Sequence, residues 1–194
     1  MLFNRRICTK VNETGRLIIL SGPSGSGKTT LCKQLMKDPR VKRSVSFTTR
    51  EPRGREQDGV DYHFITIRRF ERLIKEGKFL EYAEYCGSYY GTPLEPVEEA
   101  IKEGELFILA IDVKGALQVM EKIPETTSIF IMAPDEGALR KRLEDRVTDS
   151  ATDINKRVEE AEIELKYRDR YDHCVVNDEL EVAVSEIKNI LGLS

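Results

Sequence analysis

The sequence predicts an α/β fold in which a central parallel sheet is flanked by helices. Three observations carry this. Residues 17–20, 106–111, 129–132 and 174–176 are nearly continuous apolar runs, the pattern of strands buried on both faces. Helical periodicities fall between these runs, as strand–helix alternation requires. The first run ends in Gly22-Pro23-Ser24-Gly25-Ser26-Gly27-Lys28-Thr29, a glycine-rich joint between a strand and a helix over residues 29–36.

The elements follow in chain order. With 194 residues the chain is long enough for one domain with a buried core. Residues 1–14 read as a loose N-terminal extension, and 15–194 as that domain. Beyond the first helix, residues 44–91 break the pattern. Here 44–48, 62–67 and 79–85 read as shorter strands with mixed polar and aromatic faces, and 68–76 as a short helix stopped by Gly77. Five of the seven tyrosines fall in this stretch, which reads either as an insertion for a second substrate or as a surface excursion. Residues 94–103 form a helix ended by Gly104, with Leu94, Val97 and Ile101 on one face. Ile154, Val158, Ala161 and Leu165 recur at helical spacing, in an amphipathic helix opened by Thr152 or Asp153. Residues 182–191 give the last helix.

Charge excludes some function classes. The 31 basic and 34 acidic residues leave a net charge of −3, which argues against general binding to nucleic acid or membrane surfaces. No apolar stretch approaches the ~18 residues of a membrane span. The first six residues lack a hydrophobic segment, so secretion is not expected. Four cysteines lie far apart with no C-x-x-C spacing, which points to reduced thiols and a cytoplasmic setting. Cys32 and Cys174 are expected to fill the core.

The glycine loop carries the clearest chemistry. Gly22, Gly25 and Gly27 let main-chain N–H groups approach phosphate oxygens with no side chain between. The helix opening at Lys28 turns its unpaired N–H groups to the same oxygens. Lys28 can reach the β- and γ-phosphates, and the Thr29 hydroxyl is placed for Mg²⁺. With Pro23, Ser24, Ser26 and Thr30 this makes a nucleoside triphosphate cradle.

Arginines form two further groups. Arg50 and Arg53 flank Glu51-Pro52, in a run from Arg40 to Arg55 with six basic residues and one acid. Two planar forks so spaced can grip one phosphate, although such a run also serves as a solvated face. Arg142 and Arg146 lie one helical turn apart, and Arg157 follows a polar, turn-like segment. That layout suits a flap closing over a transferred phosphoryl group, or else a helix with ordinary surface charges.

These features combine with further motifs: Ser46-Phe47-Thr48-Thr49-Arg50-Glu51-Pro52-Arg53, Gly59-Val60-Asp61-Tyr62-His63-Phe64, Phe79-Leu80-Glu81-Tyr82-Ala83, Tyr89-Tyr90-Gly91-Thr92, Ile111-Asp112-Val113-Lys114-Gly115 and Val176-Asn177-Asp178. From Gly15 to the C-terminus the chain resembles the guanylate kinase family, the nucleoside monophosphate kinases of P-loop type that phosphorylate GMP. The resemblance implies ATP and GMP (or dGMP) as substrates and Mg²⁺ as cofactor. It also implies a core of about 15–45, 92–145 and 163–194, a GMP-binding insertion of about 46–91 and a helical lid of about 146–162.

By that resemblance Arg50 and Arg53 hold the GMP phosphate with the Tyr62 and Tyr90 hydroxyls. Ser46, Glu81, Thr92 and Asp112 line the guanine pocket, Gly91 is a further GMP-binding residue, and Asn177 lies near the adenine. Lys28, Arg50, Arg142, Arg146 and Arg157 serve the transfer itself. Read without the resemblance, Asp112 would be a Mg²⁺-side carboxylate at the end of a buried strand. The GMP phosphate has a second pKa of about 6 and is anionic near neutrality, so no general base is required. His63 and His173 are accordingly expected to be structural. Three positions depart from the family pattern: Ala110 where an acid is usual, Lys114 where Gln is usual and Val147 where a lid Gly is common. Activity is expected to survive with weakened Mg²⁺ use. Two other readings are a non-catalytic guanylate kinase-like interaction module and a related kinase acting on a sugar phosphate. Intact Lys28, Thr29 and arginine pairs oppose the first; Ser46, Glu81 and Asp112 oppose the second.

Overall fold

The computed structural model describes residues 15–144 and 151–193. Its centre is a five-stranded parallel sheet. In chain order these strands are β1 (Arg16–Ser21), β2 (Val41–Arg43), β7 (Leu106–Ala110), β8 (Thr127–Met132) and β9 (His173–Val176), in the spatial order β2-β7-β1-β8-β9. Because side chains alternate along a strand, Leu17 and Ile19 of β1 face one layer while Ile18 and Leu20 face the other. The first layer holds Val97 and Ile101 of α3 (Leu94–Lys102) and Val113, Ala116 and Val119 of α4 (Val113–Lys122). The second holds Leu31 and Leu35 of α1 (Lys28–Leu35) and Ala183, Ile187 and Leu191 of α7 (Leu180–Leu191). Both faces being covered explains why β1, β7 and β8 read as unbroken apolar runs.

A second, four-stranded sheet has the order β4-β3-β6-β5: β3 (Phe47–Thr48), β4 (His63–Phe64), β5 (Phe79–Tyr85) and β6 (Ser88–Pro93). Its small core is aromatic. Phe70 of α2 (Ile67–Lys75) is fully buried, 4.6 Å from the Phe79 ring and 5.4 Å from that of Tyr89. Gly91 lets these rings approach, since a Cβ there would lie 2.9 Å from Phe79. β5 and β6 form a hairpin whose corner residues Cys86 and Gly87 have φ of 48° and 74°, as a tight two-residue turn demands.

Several expectations change. The strand expected over 44–48 shortens to Phe47–Thr48 in the second sheet, and Val41–Arg43, which was not expected, forms the edge of the central sheet. A three-residue edge strand with one buried apolar side chain, Val41, leaves no pattern to read. The strand expected over 62–67 ends at Phe64, because Thr66 instead caps α2 by accepting a hydrogen bond from Arg69 N at 3.3 Å. β6, α4 and α5 (Glu136–Glu144) were not singled out by periodicity. The helix expected to open at Thr152 or Asp153 runs over Ala151–Leu165 (α6), so both residues lie within its first turn. Cys32 is fully buried, and burial pushes its thiol up to about 11. Cys174 is exposed on the edge strand β9 rather than in the core. His63 packs its ring 4.7 Å from Phe47, while His173 is exposed. Among the described residues, no helix is long and apolar enough to cross a membrane.

Candidate active site

The loop after β1 has a shape only glycine permits. Gly22 has φ of 135°, and a Cβ there would meet the Ile131 carbonyl oxygen at 2.2 Å. Gly27, at φ 95°, faces the Asn177 amide, where a Cβ would lie 2.1 Å from Nδ2. Asn177 clamps the loop by donating to Ser26 O at 2.8 Å, and Arg142 Nη2 donates to Asn177 O at 2.8 Å. Gly25 packs over Leu139 and Leu143 of α5, and Pro23 and Ser26 are buried. The Lys28 ammonium folds back over the loop, donating to Gly22 O at 2.5 Å and Pro23 O at 2.9 Å. Thr29 and Thr30 are exposed in the first turn of α1.

The second sheet carries the opposing groups. Arg50 Nε donates to Tyr90 OH at 3.1 Å, and its guanidinium lies 5.4 Å from the centre of the Tyr62 ring. Its end-on fork grips Glu56: Nη1 to Oε2 at 2.9 Å and Nη2 to Oε1 at 3.1 Å. The same Glu56 Oε2 accepts the Arg53 main-chain N–H at 2.7 Å, so one carboxylate joins both arginines. Ser46 stands just before β3, where its carbonyl accepts from His63 N.

Glu81 is buried at 4% exposure, opposite Thr92 in the β5–β6 register. Thr92 Oγ1 donates to its Oε1 at 2.5 Å. Its other oxygen lies against Gly115 in the first turn of α4, where a Cβ would come within 2.5 Å. Asp112 caps α4 by accepting from Gly115 N at 2.8 Å. Burial raises the Glu81 carboxyl to about 7, the neighbouring Asp112 charge adding to the effect and the Thr92 hydrogen bond opposing it. Asp112 is likewise raised, chiefly by burial, with its Gly115 hydrogen bond and Lys28 opposing.

Helix α6 bridges the glycine loop and the β5–β6 hairpin. Arg157 is buried and its Nη1 donates to Ser24 Oγ at 3.1 Å. One turn on, Glu160 accepts from Cys86 Sγ at the hairpin corner at 3.2 Å. Glu164 is buried with Oε2 unpartnered, and its carboxyl is raised by burial, with Lys28 the largest opposing influence. Lys28 acts electrostatically on Asp112 and on Glu164, and α6 touches both the glycine loop at Ser24 and the β5–β6 hairpin at Cys86. Arg146 and Val147 lie outside the described residues. Ala110 ends β7, and Lys114 is exposed on α4, where its charge favours ionised Asp112.

Sequence reasoning missed three members of the site. Glu56 is one of several acids among these arginines, with Glu51 and Asp58 nearby, and stands three residues after Arg53 in the same loop. Gly115 is visible only once α4 is known to abut Glu81, and Glu164 sits one heptad beyond Arg157, on the same helix face. Among the described residues there is no group of three or more His, Cys, Asp or Glu fit to cage a metal. The donor set present, a hydroxyl at Thr29 beside a phosphate cradle, fits Mg²⁺ carried with a triphosphate and keeping several waters.

Comparison with known proteins gives the same family. The profile described as guanylate kinase matches residues 14–193. The guanylate kinase of Desulfitobacterium hafniense is 48% identical over 178 residues, covering 91% of this chain and 89% of that protein. That of Listeria innocua is 48% identical over 183 residues, covering 93% and 89%. The crystal structure of guanylate kinase from Anaplasma phagocytophilum superposes with a TM-score of 0.80 at 32% identity, covering 93% of this chain and 86% of that one. A shikimate kinase from Bacteroides thetaiotaomicron, 16% identical with a TM-score of 0.51, shares the fold alone. Sequence, fold and cleft agree, and the chain belongs to the guanylate kinase family.

Proposed function

We propose that this chain transfers the γ-phosphoryl group of ATP to GMP, and to dGMP, releasing ADP and the nucleoside diphosphate. The single observation that carries this is Glu81, a buried carboxylate held by Thr92 at the wall of the cleft that Lys28 faces. Guanine presents two adjacent donors, N1–H and the 2-amino group, which one carboxylate can accept together. Adenine has an acceptor at N1 and no 2-amino group, so it would leave the Glu81 charge buried and unmatched. Sites that depend on such hydrogen bonds discriminate by about 10⁴–10⁵-fold. A sugar phosphate would leave Glu81 equally unmatched.

The triphosphate lies on the loop from Gly22 to Thr30, its oxygens taking main-chain N–H groups and the helix N-terminus. Lys28, whose ammonium already spans two loop carbonyls, exchanges them for the β- and γ-oxygens. Thr29 would hold Mg²⁺ together with those oxygens and water, and the ion when bound supplies charge neutralisation at the β/γ bridge. Arg50, Arg53 and the Tyr62 and Tyr90 hydroxyls fix the GMP phosphate, while Ser46, Gly91, Thr92 and Asp112 complete the guanine pocket. A GMP phosphate oxygen forms the new bond to the γ-phosphorus as the bond to the β–γ bridging oxygen breaks, and that oxygen leaves on ADP. Lys28, Arg157 beside Ser24, Arg142 of α5, and Arg146 offset the spreading charge. Residues 46–91 act as the GMP-binding insertion and 146–162 as the lid, in a cytoplasmic enzyme.

A coupled assay of ADP release tests this across GMP, dGMP, AMP, UMP and ribose phosphates. Turnover with GMP and dGMP alone is expected. Equal turnover of AMP, or none with any acceptor, would overturn the reading.

A further inference from the structure

Arg50 has five N–H donors, and four are already engaged within the protein. Glu56 takes both ends of the terminal fork, the Glu51 carbonyl takes the second Nη1 hydrogen at 2.6 Å, and the Tyr90 oxygen takes Nε–H. The remaining Nη2 hydrogen lies on the same edge as Nε. Tyr90, having accepted from Nε, keeps its own O–H to donate beside it. One edge of Arg50 therefore presents two parallel donors, an N–H and an O–H, with the guanidinium plane held between the Glu56 clamp and the Tyr62 and Phe64 rings. Through its hydrogen bond from Arg53 N, Glu56 also folds the loop that brings the second arginine to the same place.

We infer that Glu56 is a positioning residue for the acceptor phosphate: it occupies the end-on fork of Arg50 so that the Nε edge, completed by Tyr90, faces the monophosphate. This rests on the assignment of Arg50 to the GMP phosphate. Two effects of opposite sign meet at Glu56. As a competing anion it would weaken phosphate binding by occupying the guanidinium. As an anchor it strengthens binding, because a free arginine side chain loses rotamer freedom when fixed, and the loop to Arg53 must be ordered as well. The geometry favours the anchor: the Glu56 fork and the phosphate edge are different sides of one guanidinium, so both anions bind without exchange.

The test is substrate affinity in Glu56→Gln and Glu56→Ala. Glutamine has the same shape, but its amide N–H₂ cannot accept from the second arm of the fork. The KM for GMP is expected to rise about tenfold in Glu56→Gln and further in Glu56→Ala, with KM for ATP unchanged and kcat within about threefold. In a double-mutant cycle with Arg50→Lys, which has no fork to orient, the Glu56→Gln effect on GMP should vanish. A GMP KM that is unchanged or lower in Glu56→Gln would overturn the proposal, as would an equal effect with Arg50→Lys present. If Glu56→Ala does not fold, Glu56→Gln and its cycle still decide. Wild-type protein that fails to phosphorylate GMP would instead overturn the assignment of function, which the same assay reads first.

Discussion

In the proposed reading the two halves of the cleft recognise phosphate by different means. On the central sheet the cradle is main chain: the loop from Gly22 to Lys28 offers N–H groups that exist at every residue, and glycine supplies only the room to aim them. On the second sheet the cradle is side chain: Arg50, Arg53, Tyr62 and Tyr90 come from separate elements and are aligned by Glu56 and an aromatic core. A main-chain site is set by eight consecutive letters. A side-chain site exists only after the chain has folded, and each member depends on the others.

The comparison gives perturbations of graded size. Lys28→Ala removes the one side-chain charge of the loop and should lower kcat at saturating substrates by roughly 10²–10³-fold. Glu81→Gln should cut the preference for GMP over AMP by at least roughly 10²-fold while leaving the KM for ATP unchanged. Competition between the two acceptors measures it, and unaltered selectivity would mean that guanine is read elsewhere. Gly115→Ala places a methyl group 2.5 Å from the present position of Glu81 Oε2, so the carboxylate must move. The KM for GMP should rise roughly tenfold, about the worth of one displaced hydrogen bond, with ATP again unaffected. If both substrates suffer equally, the two cradles are not separable.

A pH effect sharpens the contrast most finely. The Glu81 carboxyl is raised from 4.5 to about 7, so it holds its proton more tightly in the folded chain than in the unfolded one. That stabilisation is complete below about pH 4.5 and is lost as pH rises through about 7, a difference on the order of 3 kcal/mol. Asp112 and Glu164 act in the same direction. The melting temperature of the nucleotide-free protein should fall over this window, and less so in Glu81→Gln. Since guanine donates to the ionised form, GMP binding near pH 6 should release a proton that Glu81→Gln does not release. Calorimetry in buffers of different ionisation heat reads that difference and separates it from the proton of the GMP phosphate itself.

Legibility in the sequence follows the same division. β1, β7 and β8 were readable because burial on both faces leaves unbroken apolar runs, β9 because its short apolar run holds one buried residue, Val175, and the glycine loop because its members are contiguous. β2 was not, since one buried valine in a basic run gives no periodicity. Cys174 looked like core because its neighbour Val175 is core, but β9 is an edge strand and Cys174 faces out. Glu56 and Gly115 escaped for a shared reason: an acid among arginines and a glycine in a helix acquire meaning only from what folding brings against them. Glu81 and Arg50 were singled out by family resemblance, which carries three-dimensional information that spacing alone does not.

The most direct measurement is a crystal structure with GMP and a non-hydrolysable ATP analogue bound together. The account predicts the triphosphate on the loop from Gly22 to Thr29, the GMP phosphate against the Nε edge of Arg50 with Glu56 still in its fork, and the guanine N1–H and 2-amino group on Glu81. A monophosphate bound away from Arg50 and Arg53, or a guanine that leaves Glu81 without a donor, would contradict it.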